Sequence, residues 1–226
     1  MRKHIPNILT LCNLCSGCLA VLSAFYDDYS YALIFVLVSA VFDFMDGFAA
    51  RLLKVYSPLG KELDSLADVI SFGFAPAMVA VNLLEGLGGY WRFLGLLIAA
   101  FSALRLAKFN IDDRQTSSFI GLPTPANAIF WLGLGFAYYR FFYYNYWYTL
   151  ILVATTCYLL VAELPMFSLK FKTYSLGENI WRYLLIAISV ILLVLFRLEA
   201  MSWIIVAYIV LSLLKLFVER NRQQVR

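Results

Sequence analysis

Charge and histidine are scarce in this sequence. Only 14% of its 226 residues are Asp, Glu, Lys or Arg, against 63% that are hydrophobic, whereas a soluble globular domain carries about 25% charged side chains. The shortage excludes an ordinary water-soluble fold. Polar stretches are short, which leaves little room for a soluble domain. The single histidine, His4, lies in the amino-terminal tail and offers no basis for catalysis. Cysteine is too thinly spread for a zinc or iron–sulfur centre: Cys12, Cys15 and Cys18 share one helical face and Cys157 stands alone, while such centres need four ligands, usually from more than one segment. Small apolar packing accounts for them. The first apolar segment contains Pro6, Asn7 and Asn13 and lacks a clear small-residue cleavage site, so a retained helix rather than a leader is expected there.

What the chain has instead is apolar length. Mean hydropathy is +0.80, and runs of about 20 residues, enough to cross a bilayer, recur between short polar breaks. They predict an all-α, polytopic transmembrane bundle of about eight helices in one integral membrane domain, residues 1–226. The expected spans are Asn7 to Phe25, Ser30 to Lys54, Ser57 to Leu84, Trp91 to Asn110, Pro125 to Phe142, Trp147 to Phe167, Ile180 to Phe196 and Met201 to Val218. Cations set the orientation. With the amino terminus in the cytosol, that side receives 15 of the 18 Lys and Arg, including Arg2, Lys3, Arg114, Lys170, Lys172, Arg222 and Arg226, and the far side only Arg92, Arg140 and Arg197. Both termini are therefore expected in the cytosol. The run "YYRFFYYNYWY" at Tyr138 to Tyr148 then falls at the outer boundary, where aromatic rings form an interfacial belt. A net charge of +4 suits anionic lipid headgroups and needs no nucleic acid to explain it.

Half of the chain's eight aspartates, Asp43, Asp46, Asp64 and Asp68, lie in one stretch, "DFMDGFAARLLKVYSPLGKELDSLAD". At about 100° per residue, Asp43, Asp46, Gly47, Ala50 and Lys54 fall on one face of the second helix. Gly60, Lys61, Asp64, Asp68 and Ser71 do so on the third. Between them Ser57 is placed to cap the new helix and Pro58 to begin it. The helices should run antiparallel, with the four carboxylates at similar depth. A membrane-buried aspartate costs roughly 2.5 to 3.5 kcal/mol, and two carboxylates about 4 Å apart repel by about 4 kcal/mol at an effective dielectric of about 20. Arg51, Lys54 and Lys61 compensate in part. Hard oxygen donors of this kind are what Mg2+ or Mn2+ prefers, which points to a divalent-metal site with two ions. Gly47, Gly60 and Ala50 keep the wall low for a bulky ligand, and Arg51 can grip a phosphate. A diphosphate substrate follows. Two alternatives stand beside it: aspartates merely ion-paired with lysines between close-packed helices, and a cation- or proton-coupled transporter, although transporter carboxylates commonly lie nearer the midplane.

The pattern Asp43-x2-Asp46-Gly47-x2-Ala50-Arg51-x8-Gly60-x3-Asp64-x3-Asp68 resembles the signature of the CDP-alcohol phosphotransferase family at all eight positions. The resemblance implies membrane enzymes that use a CDP-linked donor and release CMP, with a six-helix core and a homodimer. "IPNILTLCNLCSGCLAV", "DSLADVISFGFAPA", "ALRLAKFN" and "GLPTPANA" resemble its phosphatidylserine synthase branch. Lys108 departs from that branch, which often has arginine there, and Val69 departs from the sister phosphatidylglycerophosphate and phosphatidylinositol branches, which often place a basic residue after the last aspartate. The expected substrates are CDP-diacylglycerol and L-serine among membrane lipids, in a bacterial cytoplasmic membrane with the site facing the cytosol. Asp43, Asp46, Asp64 and Asp68 would hold the metals, and Asp68 would also act as the base. The resemblance places Gly47, Ala50, Arg51 and Gly60 on the nucleotide and its phosphates. Asn7 and Thr10 either touch the cytidine end or simply begin the first helix. Arg105, Lys108 and Asn110 either meet serine or anchor the helix at the membrane surface. Asp112, Asp113 and Arg114 are expected in a solvated loop. Gly133 and Ala137 form a small-x3-small pair suited to a dimer surface.

Overall fold

The computed structural model describes residues 4–55, 57–111, 118–168 and 175–224. Arg2, Lys3, Asp112, Asp113, Arg114, Lys170, Lys172 and Arg226, all used above, lie outside the described residues, as does the side chain of Arg222.

Helix α1 runs Ile5–Phe25 and buries Pro6, Thr10, Asn13, Ser16, Gly17, Ala20 and Ala24. That spacing of three and four makes one narrow stripe of small and polar residues, against which α2 (Tyr29–Leu53) lies along much of its length. Asp28 opens α2 by accepting a hydrogen bond from the Tyr31 amide. Lys54 ends it in the left-handed conformation, φ 53°. After the turn, the Ser57 hydroxyl accepts from the Gly60 amide at 2.9 Å and Pro58 occupies the first position of α3 (Pro58–Asp68), as the local chemistry predicts. The third rod continues without a break. Directly after Asp68 it widens into a π-helical turn, Val69–Phe74, and resumes as α4 (Ala75–Leu83).

A turn of 3-10 helix (Gly89–Leu96) leads into α5 (Leu97–Ile111). Strand β1 (Ser118–Ile120) precedes α6 (Thr124–Tyr144), α7 spans Tyr146–Val161, and β2 covers Pro165–Phe167. Helices α8 (Leu176–Phe196) and α9 (Met201–Gln224) close the bundle as a hairpin. Counted as rods, the described residues reproduce the eight expected segments, most of them within a few residues; the eighth, expected to end at Val218, continues to Gln224, and one segment needs correction. The sixth was expected to run to Phe167, but α7 stops at Val161 and β2 pairs antiparallel with β1. Pro165 cannot continue the helix, and Gly121 packs against its end. At φ +76° it brings the chain so close to α7 that a Cβ there would lie 2.7 Å from the Leu160 carbonyl. Its amide donates to Leu164 O and that of Leu122 to Leu159 O. The two strands thus clasp the start of α6 to the end of α7.

Among the described residues, five stretches are long and apolar enough to cross a membrane: 5–25, 29–53, 58–83, 89–111 and the continuous 179–221, which takes in most of α8 and α9. This is an integral membrane protein. Helix α6 is not among the five, because its tyrosines, glycines and Asn127 make it less apolar. It sits at the centre instead, with Trp131 and Leu132 fully buried, packed on α2, α4 and α9. Gly133 faces inward too: a Cβ there would approach Ser202 of α9. It is spent on packing within the chain, so the small-residue pair does not present a dimer surface. Cys15 and Cys18 are exposed on the outer side of α1 rather than packed in its stripe. The aromatic run carries Trp203 Nε1 donating to Tyr138 Oη at 2.7 Å and a Phe141–Tyr148 stack.

Candidate metal and diphosphate site

The α2–α3 hairpin brings the carboxylates together. One oxygen from each of Asp43, Asp64 and Asp68 lies within 4.8 Å of the other two. Asp46 stands beside this trio and is engaged differently: it is buried and accepts a hydrogen bond from the Thr10 hydroxyl at 2.6 Å. That hydroxyl has one proton, and the Pro6 carbonyl, 3.1 Å away, is its more distant acceptor. Asp68, also buried, accepts from Asn13 Nδ2 at 3.1 Å.

Asn13 escaped the sequence reading, although its spacing of three from Thr10 could have revealed it. Its main-chain carbonyl is the hub of the helix crossing, accepting from both Ser39 Oγ of α2 and Ser71 Oγ of the π-turn at 3.1 Å. The close approach depends on Gly17, where a Cβ would fall 2.0 Å from Ser71 Oγ. The π-turn therefore lets the third rod pack against α1 just where Asp68 must face the cluster; such turns occur frequently at functional sites.

The charge is not neutralised from within. Among the described residues no lysine or arginine forms an ion pair with any of the four aspartates. Lys61, expected to compensate, instead donates to the Asn110 carbonyl at 2.9 Å. Asp64 Oδ1 is buried with no hydrogen-bond partner. Three converging carboxylates, one with an orphaned oxygen, fit a divalent cation.

A cavity of ≈ 540 Å³ opens beside the cluster, and Asp46 and Asp64 belong to its wall. Asn7, Thr10, Gly47, Ala50 and Gly60 line it, as do Lys54 and Lys61. A Cβ at Gly47 would meet nothing within 4 Å, so that glycine borders open space. At Gly60 a Cβ would press on Ser57 Oγ and Asn7 Oδ1. Arg51 is exposed and lies outside these walls. Farther in, Arg105 of α5 is buried, whereas Lys108 is exposed. Asn110 is occupied, donating through Nδ2 to Ser65 Oγ at 2.8 Å and so tying α5 to α3.

This geometry can be set against known proteins. Residues 3–159 match the profile of the CDP-alcohol phosphatidyltransferases. The chain belongs to that family. Within the family it is similar to proteins named CDP-diacylglycerol–serine O-phosphatidyltransferase. The one from Bacillus subtilis is 38% identical over 141 residues, covering 60% of this chain and 77% of that protein. The one from Mycobacterium bovis is 33% identical over 173 residues, 72% of this chain and 60% of that protein. An archaeal one, from Methanocaldococcus jannaschii, is 38% identical over 129 residues, 57% of this chain and 59% of that protein. The family match takes in α1, the whole α2–α3 hairpin, α4, α5, α6 and nearly all of α7, and stops short of β2, α8 and α9.

Proposed function

We propose that this chain is a phosphatidylserine synthase, a CDP-diacylglycerol–serine O-phosphatidyltransferase that moves the phosphatidyl group to the hydroxyl of L-serine and releases CMP. The observation that carries the reading is a cavity with low glycine and alanine walls that shares Asp64 with a tight carboxylate trio. The names of the similar proteins indicate serine as the acceptor.

CDP-diacylglycerol enters from the side with its acyl chains in lipid, and its CDP head lies in the cavity. Asn7 faces the cytidine end. Thr10 acts at one remove, by holding Asp46. Gly47, Ala50 and Gly60 leave room for the diphosphate, and Arg51, long enough to reach back over the rim, grips a phosphate oxygen. Asp43, Asp46, Asp64 and Asp68 would hold two ions, Mg2+ or Mn2+, which would supply the positive charge that offsets the diphosphate and the charge developing on the phosphoryl oxygens. Asp68, oriented by Asn13, takes the proton of the serine hydroxyl. The freed oxygen attacks the phosphorus that carries diacylglycerol, the bond from that phosphorus to the bridging oxygen breaks, and CMP departs with the bridging oxygen. Arg105 receives the serine carboxylate, with Lys108 drawing it in at the entrance and Asn110 keeping α5 against α3.

The remaining parts of the proposal concern the whole chain: one catalytic domain over residues 1–226, homodimeric, in a bacterial cytoplasmic membrane, with the site and both termini on the cytosolic side. The decisive experiment supplies purified protein with CDP-diacylglycerol and, separately, serine, glycerol 3-phosphate or inositol, and identifies the lipid by mass spectrometry. Phosphatidylserine is expected. Another product would move the protein to a sister activity, and ion flux without CMP release would speak for a carrier.

A further inference from the structure

Two cavities meet at the end of the bundle away from the carboxylates. Thr10, which holds Asp46, and Tyr26, just past the other end of α1, are separated by about 24 Å of helix. There a cavity of ≈ 780 Å³ lies between the α1–α2 turn and the last turns of α6, with Tyr26, Asp27, Asp28, Tyr139 and Arg140 in its wall. Beside it an apolar groove of ≈ 540 Å³ is lined by Ile188 and Leu192 of α8 and by Trp203, Val206, Ala207 and Leu211 of α9. Tyr138 borders both. At this residue α6 departs from helical geometry, φ −129° and ψ 19°, and the Tyr138 hydroxyl accepts from Trp203 Nε1 at 2.7 Å. A charged pocket and an apolar groove are thus joined at one tyrosine.

The pocket holds charges of both signs with no pairing among them. Asp27 Oδ1 accepts from Tyr29 Oη at 2.7 Å and from Asn82 Nδ2 at 2.9 Å, and Asp28 Oδ1 caps α2, so each carboxylate keeps one oxygen to spare. Among the described residues neither aspartate is ion-paired, nor is Arg140. The wall is preformed: the buried Tyr29 ring stacks on Tyr139 at 5.0 Å, over Gly135, where a Cβ would lie 3.0 Å from it. The groove has a definite depth. Trp203, Val206, Ala207 and Leu211 share one face of α9, and the eight residues from Trp203 to Leu211 rise about 12 Å, close to the roughly 15 Å of hydrocarbon in one leaflet. Trp203 and Tyr138 stand at its mouth, as aromatic side chains do at headgroup level.

We propose that the two cavities together bind one phospholipid from the leaflet opposite the carboxylate site, with a headgroup that carries an ammonium beside its phosphate. Asp27 and Asp28 receive the ammonium, and Arg140 receives the phosphate. One acyl chain lies in the α8–α9 groove, and the glycerol passes Tyr138. Two carboxylates against one guanidinium favour such a zwitterion over a purely anionic lipid. A free amine would leave the groove unused. The bound lipid spans the α1–α2 turn, α6 and the α8–α9 hairpin, and so fastens a hairpin outside the family match to helices within it. It takes no part in phosphatidyl transfer, and the proposal stands whichever alcohol is the acceptor.

The test titrates the delipidated full chain in detergent and counts bound lipid by native mass spectrometry. Dioleoyl phosphatidylethanolamine should bind at one per chain, dioleoyl phosphatidylglycerol at least about tenfold more weakly, and O-phosphoethanolamine, the headgroup without its chains, not at all. In the double variant Asp27→Asn, Asp28→Asn both charges go, while asparagine still suits the left-handed position at 27 and the cap at 28. Phosphatidylethanolamine should bind it at least about tenfold more weakly, as expected when a hydrogen bond to a charged group is lost. Ala207→Leu should do the same by filling the groove. Without lipid both variants should melt with wild type, and phosphatidylethanolamine should raise the melting temperature of wild type alone. Equal binding of the two lipids by wild type, or wild-type affinity in either variant, would overturn the proposal. So would O-phosphoethanolamine that binds as firmly as the lipid, since the groove would then contribute nothing. A spectrum in which Ala207→Leu separates a dimer would also overturn it, by giving the groove to a second copy of the chain.

Discussion

Asp68 and Gly47 separate two ways in which one residue can serve this site. Asp68 is buried, held by Asn13 and close to two other carboxylates. Replacing it with Asn keeps its volume but removes the proton acceptor. Asp68→Asn is expected to lower serine transfer by at least about 100-fold, the usual contribution of a general base, while CDP binding measured by calorimetry persists; retained turnover would remove Asp68 from that role. Gly47 borders open cavity. A Gly47→Ala change meets no atom, and alanine is favoured over glycine in a helix by about 1 kcal/mol, so the melting temperature should hold or rise. The added methyl enters the diphosphate space, and the KM for CDP-diacylglycerol should increase. A fall in stability with unchanged kinetics would contradict that placement.

At the scale of the element, the third rod decides the site. A regular helix from Pro58 to Leu83 would carry Asp64 and Asp68 on one face, as the sequence pattern predicts. The π-turn at Val69–Phe74 adds a local widening that seats Ser71 on Gly17 and the Asn13 carbonyl. Here a glycine is a matter of contact distance, since a Gly17→Ala methyl would also fall 2.7 Å from the Ser71 Cα. Overpacking of this kind costs about 1 to 3 kcal/mol. Gly17→Ala is expected to lower the melting temperature and to reduce activity by displacing Asp68, with Ser71→Gly restoring part of both. Asn13→Ala should cut kcat more than either KM, because it frees the carboxylate that Asn13 orients. The hairpin and its cap at Ser57 were legible from spacing and turn chemistry. The π-turn was not, because its cause lies on α1, about 50 residues away.

For the whole molecule, orientation and charge are what can be tested. The cavity, Lys54, Lys61 and Lys108 lie at one end of the bundle, and Arg92, Glu85 and the Asn145 turn at the other, where Arg92 pairs with Glu85 at 3.5 Å. In a cysteine-free background, Lys54→Cys and Lys108→Cys should resist a membrane-impermeant maleimide in intact cells, and Arg92→Cys should react; the reverse pattern would invert the topology. Uncompensated acidity at the site leads to a further expectation. Chelation by EDTA should abolish CMP release, and Mg2+ or Mn2+ should restore it. Activity that persists after exhaustive chelation would leave the carboxylate trio without its proposed purpose.

The sequence by itself determined the membrane bundle, the α2–α3 hairpin and the residue types at the cavity beside the carboxylates, because those follow from local quantities: apolar length, a 100° helical repeat and the chemistry of one turn. Tertiary structure decided the rest. It grouped Asp43, Asp64 and Asp68 while assigning Asp46 to Thr10, turned Gly133 inward, ended α7 early at the Gly121 clasp, and engaged Asn110 with α3 while leaving Asn127 unpartnered. Each of these outcomes depends on which side chain a distant helix presents at a given depth, and no periodicity within a single segment encodes that.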